Sequence, residues 1–320
     1  MNKVFALNFA PGFEETVRNI LDESNLDLVI LESGFCIVRS EPNFDVTKLK
    51  FASSIYEVYD FGNDLQSLDL SKLSSYRSEG DRTFNLRYFE EGAPAKLNDD
   101  FRREFVREIA DIIKLKYSAF NPDRDFVLVK RASGINFFGV KLKGAPKKDV
   151  AGRLGYDVTY LIEFFCGLKQ NKVVLDAFGG YGGLSEALLD SFLPKSLIIV
   201  EKDSRLVNGL KRQFSEYENC KVVAGDVIKY LRNGDGKFDL IISDPPWGEY
   251  DSDVDIDHLY TSFLGEAKLK LSNGGVILIL SSAKNALDNA VHKSGLTTLN
   301  RANVLISGKK VLVLKLGNNG

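Results

Sequence analysis

Cysteine, tryptophan and long apolar runs are all scarce in this 320-residue chain, and each scarcity removes a class of protein. The three cysteines, Cys36, Cys166 and Cys220, stand far apart and form no CxxC pair. That spacing argues against a structural zinc site, a redox motif and a secreted disulfide framework, and it fits a reducing cytoplasm. No stretch approaches the roughly 18 consecutive apolar residues of a membrane span. The opening MNKVFALNFAPGFEE lacks the apolar core of a secretory leader, so a soluble, cytoplasmic protein is expected. Excess charge is missing as well: a formal net charge of -2 neither announces nor excludes a nucleic-acid partner, and only a local basic face bears on that question.

The length is more than one ordinary core needs, and two or three units are expected. From the start, KVFALNF, GFEETVRNILDES, LDLVILES, GFCIVRS, DVTKLKFA and SIYEVYDF alternate as βαββαβ, a ferredoxin-like α+β pattern over residues 1–80. A second cycle over 81–145 reads as a strand (TFNLRYFEEG), a long amphipathic helix from DDFRREF onward, and the hairpin-like pair DFVLVKRAS and INFFGVKLKG. Phe105, Ile109, Ile112 and Ile113 share one face of that helix and are expected in a core. Residues 146–160 read as a linker. Beyond it, over 161–320, the short apolar runs KVVLDAF, SLIIVEKD, CKVVAGD, FDLIISD and GGVILILSS alternate with helix-sized segments. Such runs indicate a mostly parallel sheet buried on both faces, an α/β doubly wound domain, here closed by a terminal β-hairpin around SGKK.

Acidic residues and glycines gather where those strands end. VVLDAFGGYGGLSEALL sets Asp176, Phe178, Gly180 and Gly182 between a strand and a helix, where glycine lets backbone turn tightly and approach a ligand. The dinucleotide fingerprint is only partly met, because Ser185 stands at its third glycine, and NAD remains an alternative occupant. Glu201 ends the next strand, where a carboxylate can accept from ribose hydroxyls, and Asp226 ends the one after, where it can accept from an adenine amine. Either residue alone is equally well a helix cap. The fourth strand stops at Asp244-Pro245-Pro246-Trp247. There Asp244 and the Pro245 carbonyl can hold both hydrogens of an amine conjugated to a base, while the only tryptophan offers a stacking face. The acidic run Asp251, Asp253, Asp255 has calcium-loop spacing, but Ile256 and Ser262 stand where glycine and glutamate are required, and no metal is expected. Asp257 is expected to cap the following helix, and His258 at its start reads as surface.

The order Asp-x-Phe-x-Gly-x-Gly, then Glu, then Asp resembles the S-adenosylmethionine site of class I methyltransferases, whose Rossmann-like seven-stranded, mostly parallel sheet also ends in a hairpin. The resemblance implies S-adenosyl-L-methionine as cofactor, held by Asp176, Phe178, Gly180, Gly182, Glu201 and Asp226. DPPW resembles the (D/N)PP(Y/F/W) signature of amino-methyltransferases, which implies catalytic roles for Asp244, Pro245 and Trp247 on N6 of adenine, N4 of cytosine or N2 of guanine. No cysteine has the setting that cytosine C5 chemistry requires. Residues 83–144, with Asn121-Pro122-Asp123 and the ending FFGVKL, are similar to a THUMP domain. The whole chain is similar to THUMP-containing tRNA guanine-N2 methyltransferases, which implies RNA, and tRNA in particular, as partner. Lys130, Arg131, Lys141, Lys143, Lys147 and Lys148, with Arg153, form a basic run able to meet phosphates. The alternatives are an adenine-N6 methyltransferase acting on RNA or DNA and a catalytically silent RNA-binding protein; nothing indicates an accessory subunit.

Overall fold

A computed structural model describes residues 2–76, 80–142, 153–248 and 255–318. The chain forms two compact units, Met1–Asn8 with Ile20–Ala145 and Phe9–Asn19 with Pro146–Gly320. Among the described residues no helix is long and apolar enough to cross a membrane.

From the N-terminus come β1 (Lys3–Asn8), α1 (Glu14–Glu23), β2 (Asp27–Glu32), β3 (Phe35–Ser40) and β4 (Ser54–Gly62). The expected second helix of this cycle shrinks to a 3-10 turn, Val46–Lys48, capped by the Asp45 carboxylate. Two β-branched residues, Val46 and Thr47, give that segment little reason to propagate as helix. Strand order is β2-β3-β1-β4, every neighbour antiparallel, as a βαββαβ unit requires. The second cycle supplies β5 (Thr83–Glu90), β6 (Ala93–Pro94), α2 (Asp99–Ile113), β7 (Lys116–Tyr117), β8 (Arg124–Lys130) and β9 (Asn136–Lys141). Helix α2 starts at the Asn98 cap and stops at Lys114 in the left-handed region, earlier than its amphipathic pattern suggests. Phe105 and Ile109 are buried, and Ile112 and Ile113 pack partly buried against the same core.

The two cycles, expected to divide near residue 80, share one sheet, because β4 pairs antiparallel with β9. Gly139 makes that seam possible. A Cβ there would lie 2.2 Å from the Glu57 carbonyl oxygen, beside a bulge between Val58 and Asp60. The Asn121-Pro122-Asp123 motif is a clamp in this unit: the Asp123 carboxylate accepts from the backbone N–H groups of Arg82 and Thr83 and from the Thr83 hydroxyl.

The second unit runs α3 (Tyr156–Cys166), β10 (Val173–Asp176), α4 (Gly183–Ala187), β11 (Ser196–Glu201), α5 (Ser204–Gln213), β12 (Cys220–Ala224), α6 (Val227–Asn233), β13 (Phe238–Ser243), α7 (Ile256–Leu269), β14 (Leu271–Ser281), α8 (Lys284–Ser294), β15 (Thr297–Ile306) and β16 (Lys309–Gly317). Its seven strands lie in the order β12-β11-β10-β13-β14-β16-β15, the first five parallel and β16 antiparallel to both its neighbours. Leu175, Ile199, Ile241, Ile242, Ile277 and Leu278 are fully buried, which is why these strands read as continuous apolar runs.

This unit begins earlier than residue 161. Helix α3 lies partly within the expected linker, and Phe9–Asn19 also belongs here. The Leu305 N–H donates to the Pro11 carbonyl at 2.9 Å, and the Phe13 and Phe165 rings meet edge-on at 6.3 Å. Gly12, at φ +98°, would place a Cβ 2.2 Å from the Asn303 carbonyl oxygen. Gly12→Ala is therefore expected to destabilise this unit by about 1–3 kcal/mol, read as a lower urea midpoint.

Among the described residues, Glu163 and Asp176 are the most deeply buried carboxyls of the second unit. Glu163 of α3 is fully buried, and among the described residues neither of its oxygens has a hydrogen-bond partner. Burial raises its carboxyl well above the usual range, and the charge of Asp176 adds to the rise. The folded state thus holds a proton that the unfolded chain releases. Stability is fully present below the ordinary glutamate range and is lost as pH rises toward the raised value. Glu163→Gln is expected to flatten that loss, measured as unfolding free energy across a pH series; an unchanged slope would count against it.

Candidate active site

The carboxyl ends of β10, β11, β12 and β13 open into a cavity of about 690 Å³ in the second unit. Its position follows from the sheet: β11 lies on one side of β10 and β13 on the other, so the connections after them leave in opposite directions.

The glycine loop is held by the neighbouring strand. The Gly179 N–H donates to the Val200 carbonyl at 2.9 Å, and the Gly180 N–H to a Glu201 carboxylate oxygen at 2.8 Å. The other Glu201 oxygen accepts from the Asp203 N–H at 2.7 Å. Gly180 sits at φ +50° with nothing closer than 3.8 Å to where a Cβ would stand, so the backbone there is open to a ligand. Phe178 packs edge-on against Phe263, ring centroids 5.2 Å apart, and lines the cavity. Asp226 caps α6 by accepting from the Lys229 N–H at 2.9 Å, and it too lines the cavity.

On the opposite wall, the Trp247 indole N–H donates to one Asp244 carboxylate oxygen at 3.0 Å. Withdrawal from bulk water pushes the Asp244 carboxyl up to about 7; the indole donor opposes the rise and the buried Asp176 adds to it. The segment is anchored from behind. The Tyr260 hydroxyl donates to the Pro246 carbonyl at 2.8 Å and lies 2.7 Å from the Ser281 hydroxyl, which accepts from the Ala283 N–H. Since Tyr260 has one proton to give, Ser281 donates to Tyr260.

The structure brings Phe178, Gly180, Glu201, Asp226, Asp244, Pro245 and Trp247 to one cavity. It does not bring Asp176 or Gly182 there. Asp176 is 1% exposed and accepts from the Ser185 hydroxyl at 2.6 Å, with its carboxyl pushed up to about 6 by burial. It braces the loop from behind. Gly182 is a packing glycine, since a Cβ would meet Leu210 and Phe214 at 2.9 Å. Arg153, ion-paired with Glu186, and Tyr181, Lys202, Leu259, Ser307 and Lys309 are among the other lining residues. Tyr181 stands inside the glycine loop and was open to notice; the hairpin pair Ser307 and Lys309 carries no local signal. Helix α7 is capped by Asp255 rather than Asp257, and the His258 ring lies 3.5 Å from the Ser262 hydroxyl within the same helix.

The basic residues Lys130, Arg131 and Lys141 lie in the first unit, and Lys143, Lys147 and Lys148 fall outside the described residues. The fold supplies acids that the local sequence does not. Lys130 pairs with Glu90 at 2.8 Å, and Arg131 pairs with Glu32 at 3.2 Å while covering the Phe35 ring at 3.8 Å. Lys141 lies 6.0 Å from the Tyr56 ring. Arg131 and Lys141 also line a concavity of about 1100 Å³ in this unit.

The family described as UPF0020, RMKL-like, methyltransferase domain, matches residues 185–311, under half of the chain. An uncharacterized RNA methyltransferase of Clostridium tetani is 24% identical over 153 residues, 47% of this chain and 28% of that protein, so the chain spans under a third of this relative's length. Among solved structures, TrmN from Thermus thermophilus superposes with a TM-score of 0.80 at 17% identity, covering 99% of this chain and 100% of that one. SMU.472, a putative methyltransferase complexed with SAH, superposes at 0.70 with 14% identity, covering 100% and 99%. With the strand order above, these likenesses establish the architecture: the second unit has the class I methyltransferase fold.

Proposed function

We propose that the protein is an S-adenosylmethionine-dependent methyltransferase acting on an exocyclic base amine in RNA, with guanine N2 in tRNA as its target. One observation carries the reading: Asp244, Pro245 and Trp247 share a single cavity with Gly180, Glu201 and Asp226. About 690 Å³ is room for a cofactor and a flipped base together. The residues fit that cofactor. Glu201, fixed by two backbone donors, is suited to a ribose diol, Asp226 to an adenine amine, and the open backbone at Gly180 to close approach. When bound, the cofactor supplies an electrophilic methyl group on a sulfonium.

The chain's own residues make the amine reactive. Conjugation with the ring delocalises the nitrogen lone pair. Asp244 and the Pro245 carbonyl accept its two hydrogens, which draws that pair out of conjugation and aims it. Trp247 spends its N–H on one Asp244 oxygen and leaves the other for the amine. A carboxyl near 7 is also suited to taking up the proton that the nitrogen sheds. Trp247 stacks the base, a contact worth about 1–3 kcal/mol. The Clostridium tetani relative and the THUMP-like pattern of residues 83–144 support RNA as substrate, and Lys130, Arg131 and Lys141 are proposed to contact it from the first unit.

Incubation with radiolabelled cofactor and unmodified tRNA, followed by nucleoside analysis, tests the assignment. Label in N2-methylguanosine is expected, and label in adenosine would move the target to N6. Asp244→Asn is expected to lower kcat at least about 100-fold with RNA affinity retained. Because the ionised carboxylate is the competent form, kcat/KM should fall as pH drops through about 7. Trp247→Phe keeps an aromatic face but loses the donor that favours the ionised form, so that acidic limb should move to higher pH. A profile identical to wild type would remove the indole from this role.

A further inference from the structure

The turn joining β15 to β16 has two residues, Ser307 and Gly308, with Ile306 paired to Lys309 across it. Both turn residues have positive φ, 48° and 79°. That is the pattern of a type I′ hairpin, whose twist matches its strands. A serine in the left-handed region persists only where the surroundings fix it. Lys309 therefore leaves the sheet from a rigid base. Ile306, Ser307 and Lys309 line the cavity, and the Lys309 ammonium lies 5.7 Å from the centroid of the Trp247 ring.

The charges around it point to a purpose. Glu201, Asp226 and Asp244 stand along the lining, and a polyanion enters beside them more readily where a cation stands on the substrate side. Arg153 lies against Gly183, 3.3 Å from where a Cβ would stand, and Lys202 follows Glu201, so both stand at the glycine-loop end of the lining. Among the described residues that line the cavity, Lys309 is the cation beside Trp247. Lysine's compact ammonium binds phosphate as a point charge with three donors, and the electron-rich indole face holds that ammonium near the ring. Taking from the proposed function only that a base stacks on Trp247, we infer that Lys309 binds the phosphate of the same nucleotide. It is a specificity-determining residue that ties base and backbone recognition to one hairpin.

Because Trp247 is the chain's only tryptophan, intrinsic fluorescence reports this cavity. Guanosine and its 5′- and 3′-monophosphates are titrated into protein saturated with S-adenosylhomocysteine, whose own binding is measured beforehand by calorimetry. At least one monophosphate is expected to bind about tenfold more tightly than the nucleoside in wild type. That preference should vanish in Lys309→Ala, persist in Lys309→Arg and weaken with added salt. Equal binding of all three ligands, no quenching by any of them, or a preference that survives Lys309→Ala would overturn the inference. If S-adenosylhomocysteine does not bind, the cofactor reading fails by itself, and the same titrations on unliganded protein still decide the role of Lys309. Lys309→Arg retains the charge and serves as the folding control.

Discussion

A parallel sheet whose winding reverses must open at the carboxyl ends of its central strands, and the second unit is organised around that gap. β10 carries β11 on one side and β13 on the other. The segments that follow these strands diverge, and what remains between them is a crevice bounded by backbone. The fully buried Leu175, Ile199, Ile241 and Ile242 make the strands behind it rigid. Two cross-strand bonds extend that rigidity past the strand ends: Ala177 N–H to the Ile242 carbonyl and Gly179 N–H to the Val200 carbonyl, both 2.9 Å. The loop that shapes the cavity is thus stitched to both neighbours of β10.

Pre-organisation on the other wall comes from a relay rather than from the sheet. Ala283 N–H, the Ser281 hydroxyl, the Tyr260 hydroxyl and the Pro246 carbonyl form a chain of hydrogen bonds from the end of β14, through α7, to the Asp-Pro-Pro-Trp segment. The two prolines fix φ at two positions, and the relay fixes the carbonyl of the second. Little of the segment is left to order when a ligand arrives. That matters for the proposed amine methylation, in which positioning two acceptors around one nitrogen would supply much of the rate.

What the sequence made legible was the chemistry that local patterns encode. Apolar runs and turn residues encode the alternation of strands and helices, and the strand ends and glycine loop encode seven of the residues that line the cavity: Phe178, Gly180, Glu201, Asp226, Asp244, Pro245 and Trp247. What local pattern leaves hidden shares one cause, because direction and partnership are set by residues distant in the chain. Asp176 and Gly182 belong to the same short motif as Phe178 and Gly180, yet Ser185 turns one inward and Leu210 and Phe214 enclose the other. Lys130 and Arg131 look unopposed beside their sequence neighbours, but Glu90 and Glu32 reach them across strands. Lys309 reaches the cavity from a hairpin more than 60 residues beyond Asp244, a distance that no spacing rule spans. The assignment of Phe9–Asn19 to the second unit is hidden for the same reason, since Pro11 and Leu305 meet only in the fold.

A structural role and a functional one need not compete for a residue. Asp226 caps α6 and lines the cavity, and Glu201 secures two backbone N–H groups while facing the same space. Each bond to the backbone occupies one of the roughly four lone-pair directions of a carboxylate, and the others stay available to a ligand. A carboxylate already held by backbone donors has lost its rotational freedom during folding, so a ligand that accepts the given orientation does not bear that entropy again. Trp247 and Asp244 follow the same logic: the indole N–H occupies one lone pair of one oxygen and thereby fixes where the other oxygen is aimed. In the proposed site the helix cap and the binding residue are one arrangement, in which the structural bond supplies the geometry that recognition requires.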